Sequence, residues 1–272
     1  MRGSIVGFTL AAGVAGAAAS AAAQPSTAPA QPETDVYPAE HTDRPLLLPA
    51  AALEGTALLE IFDADYEDAG GVGYEAYTLR PAARYGLAGA EVEGGLTLAL
   101  HESDGYGAGT DALRSVDFAG RFGVGASATA GVEVSMGNPT TDFASYGAAA
   151  TLATKQRFGA ASLELGAAAG YTHVASEGAL DTINLRGRIA ATAQLARTFA
   201  LQGRGELYWL DYTGSDQTMS PSFGWYLGQR YGVAALFAAS PTLDVIAGFD
   251  MLSTGDATVR LFTLGVAARR VP

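Results

Sequence analysis

Residues 91–101 read EVEGGLTLALH, and this short stretch shows the alternation that organises most of the chain. Its large apolar residues fall on one parity and its polar residues on the other; the apolar set is Val92, Leu96, Leu98 and Leu100. Because successive side chains of a β-strand point to opposite faces, this pattern predicts a strand with one apolar and one polar face. The same alternation returns from about Leu53 onward.

Two kinds of connection alternate between these segments. Six are long, polar and acidic, at residues 63–73, 101–112, 137–142, 175–181, 211–220 and 253–257. Five are short and lie near Gly86, Gly125, Gly159, Thr198 and Pro241. They join about twelve strands, with both ends of the chain on the short-turn side. This all-β arrangement is typical of an antiparallel up-and-down transmembrane β-barrel, because a closed ladder satisfies every backbone group in lipid.

The chain begins with features of an exported protein. Arg2 precedes an apolar, small-residue run, and three alanines at 21–23 fit a signal-peptidase site, so residues 1–23 are predicted to be a signal peptide. Residues 24–51 are predicted to be a Pro-rich, disordered linker outside the fold, since 24–49 hold six of the eleven prolines. The barrel is then expected over 52–270.

The composition separates a membrane barrel from a soluble one. Apolar residues make up 49% of the 272 residues, but they are dominated by Ala, and 35 residues are Gly. A soluble β-sandwich or lipocalin-like barrel is the alternative; it would need large residues at most apolar positions to fill a core. Against lipid, a small residue leaves no cavity. No Cys is present, which argues against a disulfide framework or a thiolate nucleophile.

In this pattern of strands and connections, residues 52–270 resemble the bacterial outer-membrane β-barrel proteins, a broad class that includes the porins. The resemblance implies periplasmic short turns, extracellular long loops and a Gram-negative outer membrane as the location. It also implies outer-membrane lipid as the surroundings and the barrel-assembly machinery as a partner during biogenesis.

Aromatic residues on the lipid-facing parity fall into two groups. One group lies beside the short turns: Tyr85, Phe122, Phe158, Phe199 and Phe237. The other lies toward the long loops: Tyr146, Tyr171, Trp209 and Trp225. They predict the two interfacial girdles of a membrane barrel. Three aromatics belong to a recurring triplet, RYG at 84–86 and RFG at 121–123 and 157–159, in which the Gly is expected to begin the turn.

The inward parity carries acids and bases in near balance. The residues predicted to line a pore are Arg186, Arg188, Arg204, Glu206, Glu91, Glu93, Glu133, Glu164, Arg121 and Arg230. In the hairpin that turns near Arg197, Arg188 should lie opposite Glu206 and Arg204 opposite Ala190. Many other inward residues are small, which favours a narrow water-filled pore because twelve strands enclose a wide interior.

The long connections contain 13 Asp or Glu and no Lys or Arg. An acidic mouth would concentrate cations and repel anions. Alternatively, the acidic loops bind divalent ions or keep the surface solvated.

Little in the sequence indicates catalysis. A hydrolytic site would have to use His101, predicted on the inward parity, with Ser103 and Asp104. No phosphate loop, HExxH motif or EF-hand spacing is present, so no cofactor, metal site or catalytic residue is predicted. The net charge of −12 disfavours nucleic acid. The leading hypothesis is a narrow porin-like channel for small polar solutes or ions; the alternatives are a closed structural or adhesion barrel and, less favoured, an outer-membrane hydrolase.

Overall fold

A computed structural model describes residues 37–66, 72–103, 112–139, 144–175, 180–214, 225–253 and 257–272. It is a closed barrel of twelve antiparallel strands, which confirms the predicted fold and strand number. The strands are β1 (Leu53–Tyr66), β2 (Val72–Leu87), β3 (Ala90–Glu102), β4 (Leu113–Gly123), β5 (Ala128–Gly137), β6 (Ser145–Phe158), β7 (Ala161–Val174), β8 (Leu180–Ala196), β9 (Phe199–Gly214), β10 (Trp225–Ser240), β11 (Leu243–Ser253) and β12 (Ala257–Arg270). In the ranges that the structure describes, no helix has the length and apolar character to cross a membrane.

Each strand pairs with the next along the chain, and β1 pairs with β12 from Leu53↔Arg270 to Tyr66↔Ala257 to close the ring. The five short connections and both ends of the barrel domain lie at one end, which we call the inner mouth. The six long connections lie at the other end, and each contains residues outside the described ranges. The predicted acidic loops and the signal peptide therefore fall largely or wholly outside the described residues.

The outer face of the barrel is apolar and exposed. Leu207, Val233 and Leu264 each leave 57–60% of their surface uncovered, and the buried apolar residues are mostly alanines. A soluble protein rarely exposes so many large apolar side chains together, whereas a barrel in lipid requires them. The alternation therefore places its large residues against the surroundings instead of in a core.

The interior is polar and contains buried charge. The largest fully buried side chains among the described residues are Glu91 and Asp250. Asp250 accepts a hydrogen bond of 2.6 Å from Arg204 Nε and one of 2.9 Å from Arg230 Nη2. A buried carboxylate is costly unless it is paired and hydrogen-bonded, so these arginines are what allows Asp250 to stay charged inside the wall.

Residues 37–52, which we call the inner-mouth segment, pack inside the barrel end and include one turn of 3₁₀ helix at His41–Asp43. The predicted exclusion of the linker from the fold is wrong for residues 37–51; residues 24–36 lie outside the described ranges. Tyr37, Leu48 and Ala52 form a buried cluster with Val271 against it. The prolines predict a linker because they cannot donate the backbone hydrogen bonds of a strand. An extended segment does not need those bonds when side-chain hydrogen bonds and buried apolar contacts hold it.

Two of the three glycines in the Arg-aromatic-Gly triplets, Gly159 and Gly86, have different roles. Gly159 has φ of +61° and lies in the turn between β6 and β7, as predicted. Gly86 lies inside β2, before the turn, and a Cβ there would be 1.9 Å from the carbonyl oxygen of Pro49. Its amide donates to Ala52 O, and its carbonyl accepts from Ala51 N. Gly86 therefore makes room for the inner-mouth segment and does not begin the turn.

We expect Asp250→Ala to lower the free energy of unfolding by about 3 kcal/mol, because it leaves Arg204 and Arg230 without their shared carboxylate. Urea unfolding of the folded protein in lipid vesicles measures this loss.

Asp63→Ala is the matched control. Asp63 pairs with Arg260 at 3.0 Å, but both side chains are over 40% exposed, so its loss should cost less than about 1 kcal/mol. Equal losses for the two variants would show that burial does not decide the worth of these pairs.

Candidate functional site: the lumen and its inner mouth

Two adjoining cavities occupy the barrel interior. The larger holds about 660 Å³ and is lined in part by Arg80, Asp117 and Tyr208. The smaller, toward the inner mouth, holds about 330 Å³ and is bounded by Pro45 and Leu46 of the inner-mouth segment. Both cavities are lined by the same central residues: Thr56, Glu93, Arg121, Glu133 and Arg186. The lumen is therefore a polar space whose inner end is bounded by the protein's own N-terminal chain.

Eight of the ten residues predicted to line a pore border one or both cavities: Arg186, Arg188, Glu206, Glu93, Glu133, Glu164, Arg121 and Arg230. The remaining two, Arg204 and Glu91, do not border either cavity. Arg204 is committed to Asp250, and the Glu91 side chain is completely covered.

The predicted hairpin register is observed: Arg188 lies opposite Glu206 and Arg204 opposite Ala190. The arginine side chains, however, have carboxylate partners on other strands. Arg188 pairs with Glu164 at 2.9 Å, and Arg186 pairs with Glu133 at 2.8 Å. Register fixes backbone neighbours, but a long arginine side chain can reach a carboxylate on another strand. Arg186, Arg188 and Arg204 therefore bind separate carboxylates, on β5, β7 and β11.

At the inner mouth, the Glu91 carboxylate binds donors from two strands and from the inner-mouth segment. It accepts from Arg84 Nη2 at 2.6 Å and from Arg121 Nη1 at 3.0 Å. It also accepts from the backbone amide of Leu48 at 2.9 Å. Parity placed Glu91 inward correctly, but the inner-mouth segment covers it, so it cannot contact solute in this arrangement.

The inner-mouth segment reaches opposite walls of the barrel. Lys155 Nζ of β6 donates to the carbonyl oxygens of His41 and Arg44, at 3.2 and 2.8 Å. The His41 amide donates to Gln194 Oε1 of β8 at 2.8 Å. Arg44 Nη2 donates to Asp244 Oδ1 of β11 at 2.9 Å. Together with the contacts to β2 and β3, these bonds tie the segment to five strands distributed around the ring.

Alternating charges connect the segment to the ends of β1 and β12. Asp244 binds both Arg44 and Arg269, and Arg269 also binds Glu54. The Tyr37 ring lies near both guanidinium groups, with its centroid 5.5 Å from Cζ of Arg44 and 5.0 Å from Cζ of Arg269. Each buried charge thus has an opposite charge or an aromatic face beside it.

His41 is buried in this network, and neither ring nitrogen has a hydrogen-bond partner. Burial, with Arg44 as the next contributor, lowers the pKa of His41 to about 4, although Asp244 opposes the shift. The docked segment therefore holds a neutral histidine at neutral pH.

The predicted aromatic residues lie near the two ends of the strands. Tyr85, Phe158 and Phe237 are exposed near the short turns, and Phe122 and Phe199 are half-buried there. Toward the long connections, Tyr146 and Tyr171 are exposed and Trp209 is half-buried. Trp225 is the first residue of β10, and its side chain lies outside what the structure describes.

Of the residues considered for hydrolysis, His101 and Ser103 are engaged elsewhere, and Asp104 lies outside the described residues. A bulge between β2 and β3 shifts the register at Leu100, so His101 pairs with Tyr77 and its ring lies 5.7 Å from the Tyr77 ring. Ser103 Oγ accepts from the Glu75 amide. The predicted inward parity of His101 is wrong because Tyr77 shares the face of Leu79 and not of Thr78. In the ranges that the structure describes, no three His, Cys, Asp or Glu side chains are grouped to hold a metal.

No protein-family model and no curated protein matches the chain. Among solved structures, the chain is similar to the COG4313 outer membrane channel from Pseudomonas putida F1, with a TM-score of 0.62 and 10% identity. That alignment covers 82% of this chain and 97% of the channel. It is also similar to the NanC porin, with a TM-score of 0.50 and 11% identity over 77% of this chain and 98% of the porin. At such low identity the likeness concerns the fold, which is that of the outer-membrane β-barrels.

Proposed function

We propose that this protein is an outer-membrane barrel that passes small polar solutes or ions passively through a narrow lumen. The observation that carries the proposal is the pair of adjoining polar cavities inside the barrel, which share charged lining residues. Water-accessible space lined by charge is what passive permeation requires.

The charge pairs in the lumen differ from those in the wall. The Arg186 and Arg188 side chains are 42% and 53% exposed, whereas Asp250 is fully covered. Exposed ion pairs add little to stability, so the pairs of Arg186 and Arg188 contribute little to the free energy of folding. These two guanidinium groups offer positive charge to a passing ion.

Arg186→Glu combined with Arg188→Glu should shift the selectivity of the channel toward cations, because two fixed positive charges become negative in the lumen. The reversal potential in planar bilayers under a salt gradient measures the shift.

Arg260→Glu is the control, since it reverses the charge of an arginine that pairs with Asp63 and borders neither cavity. A channel whose reversal potential is the same in the double variant and the unaltered protein would contradict selection at this position.

The proposed membrane location makes a second prediction, about Trp209. Its register partners Leu185 and Leu227 are both exposed on the outer face. In a Trp225→Phe variant, brominated lipids should quench the remaining Trp209 fluorescence strongly, because the indole would contact acyl chains.

The matched control moves the indole by one residue. Tyr208 lines the larger cavity, so Tyr208→Trp in a chain lacking both native tryptophans should be quenched far less. Equal quenching at 208 and 209 would contradict the proposed lipid-facing surface.

A closed barrel with a structural or adhesive role is the second candidate. The observation that favours it is the inner-mouth segment, which bonds to strands on opposite sides of the ring. The two candidates differ in conductance: a structural barrel would show no channel even after the segment is released.

A further inference from the structure

We propose that residues 37–48 act as a releasable plug, and that their docking at the inner mouth controls flow through the lumen. This inference rests on the proposed channel function. It adds a control element that belongs to the chain itself.

The geometry of the segment is that of a cover. Residues 41–44 bond to Lys155, Gln194 and Asp244, on β6, β8 and β11, while Leu48 bonds to Glu91 on β3. These strands are distributed around the ring, so the segment crosses the opening instead of following one wall. Pro45 and Leu46 then bound the inner cavity directly.

The two barrel carboxylates that bind the segment keep other partners when it leaves. Asp244 retains Arg269, and Glu91 retains Arg84 and Arg121. Removing the segment therefore exposes the two carboxylates to water without leaving either one unpaired. Release consequently costs the barrel far less than the loss of a sole partner would.

The attachment is polar over most of its length. Among the described residues, its buried apolar cluster consists of Tyr37, Leu48 and Ala52, with Val271 packed against it. Residues 41–44 are held by hydrogen bonds and ion pairs, which water can replace on release. Ala51, at the junction with β1, has φ of +63°, which is strained for a residue with a Cβ. The junction can relax when the segment undocks.

Arg44→Glu in the full chain tests the plug by charge, because it places a carboxylate against Asp244. We expect at least a twofold rise in single-channel conductance or in the fraction of time that the channel is open. Arg197→Glu is the control, since Arg197 lies in the turn between β8 and β9 and makes the same charge change away from Asp244. Equal conductance in Arg44→Glu and the unaltered protein would overturn the proposal.

Gly86→Ala tests the plug without a change of charge. The added Cβ would meet the Pro49 carbonyl at 1.9 Å, whereas at Gly120 a Cβ has nothing within 4 Å. Gly86→Ala should therefore raise conductance and Gly120→Ala should not. Heat-modified gel mobility verifies that each barrel is folded, and a folded Gly86→Ala barrel with unchanged conductance counts against the plug.

A labelling experiment separates failure of the plug from failure of the channel. The chain has no cysteine, and Thr129 lines the inner cavity with 5% of its surface exposed. A Thr129→Cys thiol should react several-fold faster with a water-soluble maleimide when Arg44→Glu is also present. Faster labelling without conductance in any variant would overturn the channel and support the plug. Unchanged labelling would overturn the plug even if the protein conducts.

Acid should release the plug through His41, which faces Arg44, Asp244, Arg269 and Lys155. The pKa of His41 is about 4 when the segment is docked and 6.5 when it is free. As the pH falls, His41 therefore gains a proton more readily in the released segment than in the docked one. The contribution of neutral His41 to docking is fully present above pH 6.5 and is lost as the pH falls toward 4. At pH 5 the equilibrium constant for docking should be roughly ten- to thirtyfold lower than at neutral pH.

Conductance should accordingly rise between pH 7 and pH 5 in the unaltered chain. His41→Gln cannot gain the proton and should remove most of that rise. A His41→Gln channel with the same pH dependence as the unaltered chain would refute the role of His41.

Discussion

The pairing of buried carboxylates with arginines is the interaction on which this barrel depends. A twelve-stranded wall whose large apolar side chains point outward has no apolar core to fill its interior, so its inward residues are polar and must satisfy one another. Asp250 and Glu91 are completely covered, and each receives two arginines. Burying a carboxylate away from water costs too much free energy without such partners. The positions of the arginines therefore determine which parts of the interior can be covered.

The same chemistry produces two different regions along the lumen. In the middle of the barrel the pairs of Arg186 and Arg188 are partly exposed and leave space beside them. At the inner mouth the charges are buried, because the N-terminal chain covers them and supplies Arg44 and the Leu48 amide. An open polar space thus lies next to a covered region, and the same residue types line both.

The fold could be predicted from the sequence because period-two alternation and the two classes of connection are local signals. Even the backbone register, with Arg188 opposite Glu206 and Arg204 opposite Ala190, followed from the position of one hairpin turn. The candidate site was predicted less completely. A bulge at Leu100 reversed the parity of His101, and long arginine side chains chose carboxylates on other strands. Six prolines suggested a linker, although Tyr37 and the leucines at 46–48 within it were a signal of packing.

The sequence by itself determined the number of strands, the outward face and the inward placement of the charged residues, since each depends on neighbours along the chain. Only the tertiary structure decided which charges meet and that residues 37–52 return into the barrel. The physical reason is separation along the sequence: Arg44 and Asp244 lie 200 residues apart and become neighbours only when the ring closes. Gly86, which looked like the start of a turn, is needed because another part of the chain passes within 1.9 Å of where its Cβ would be.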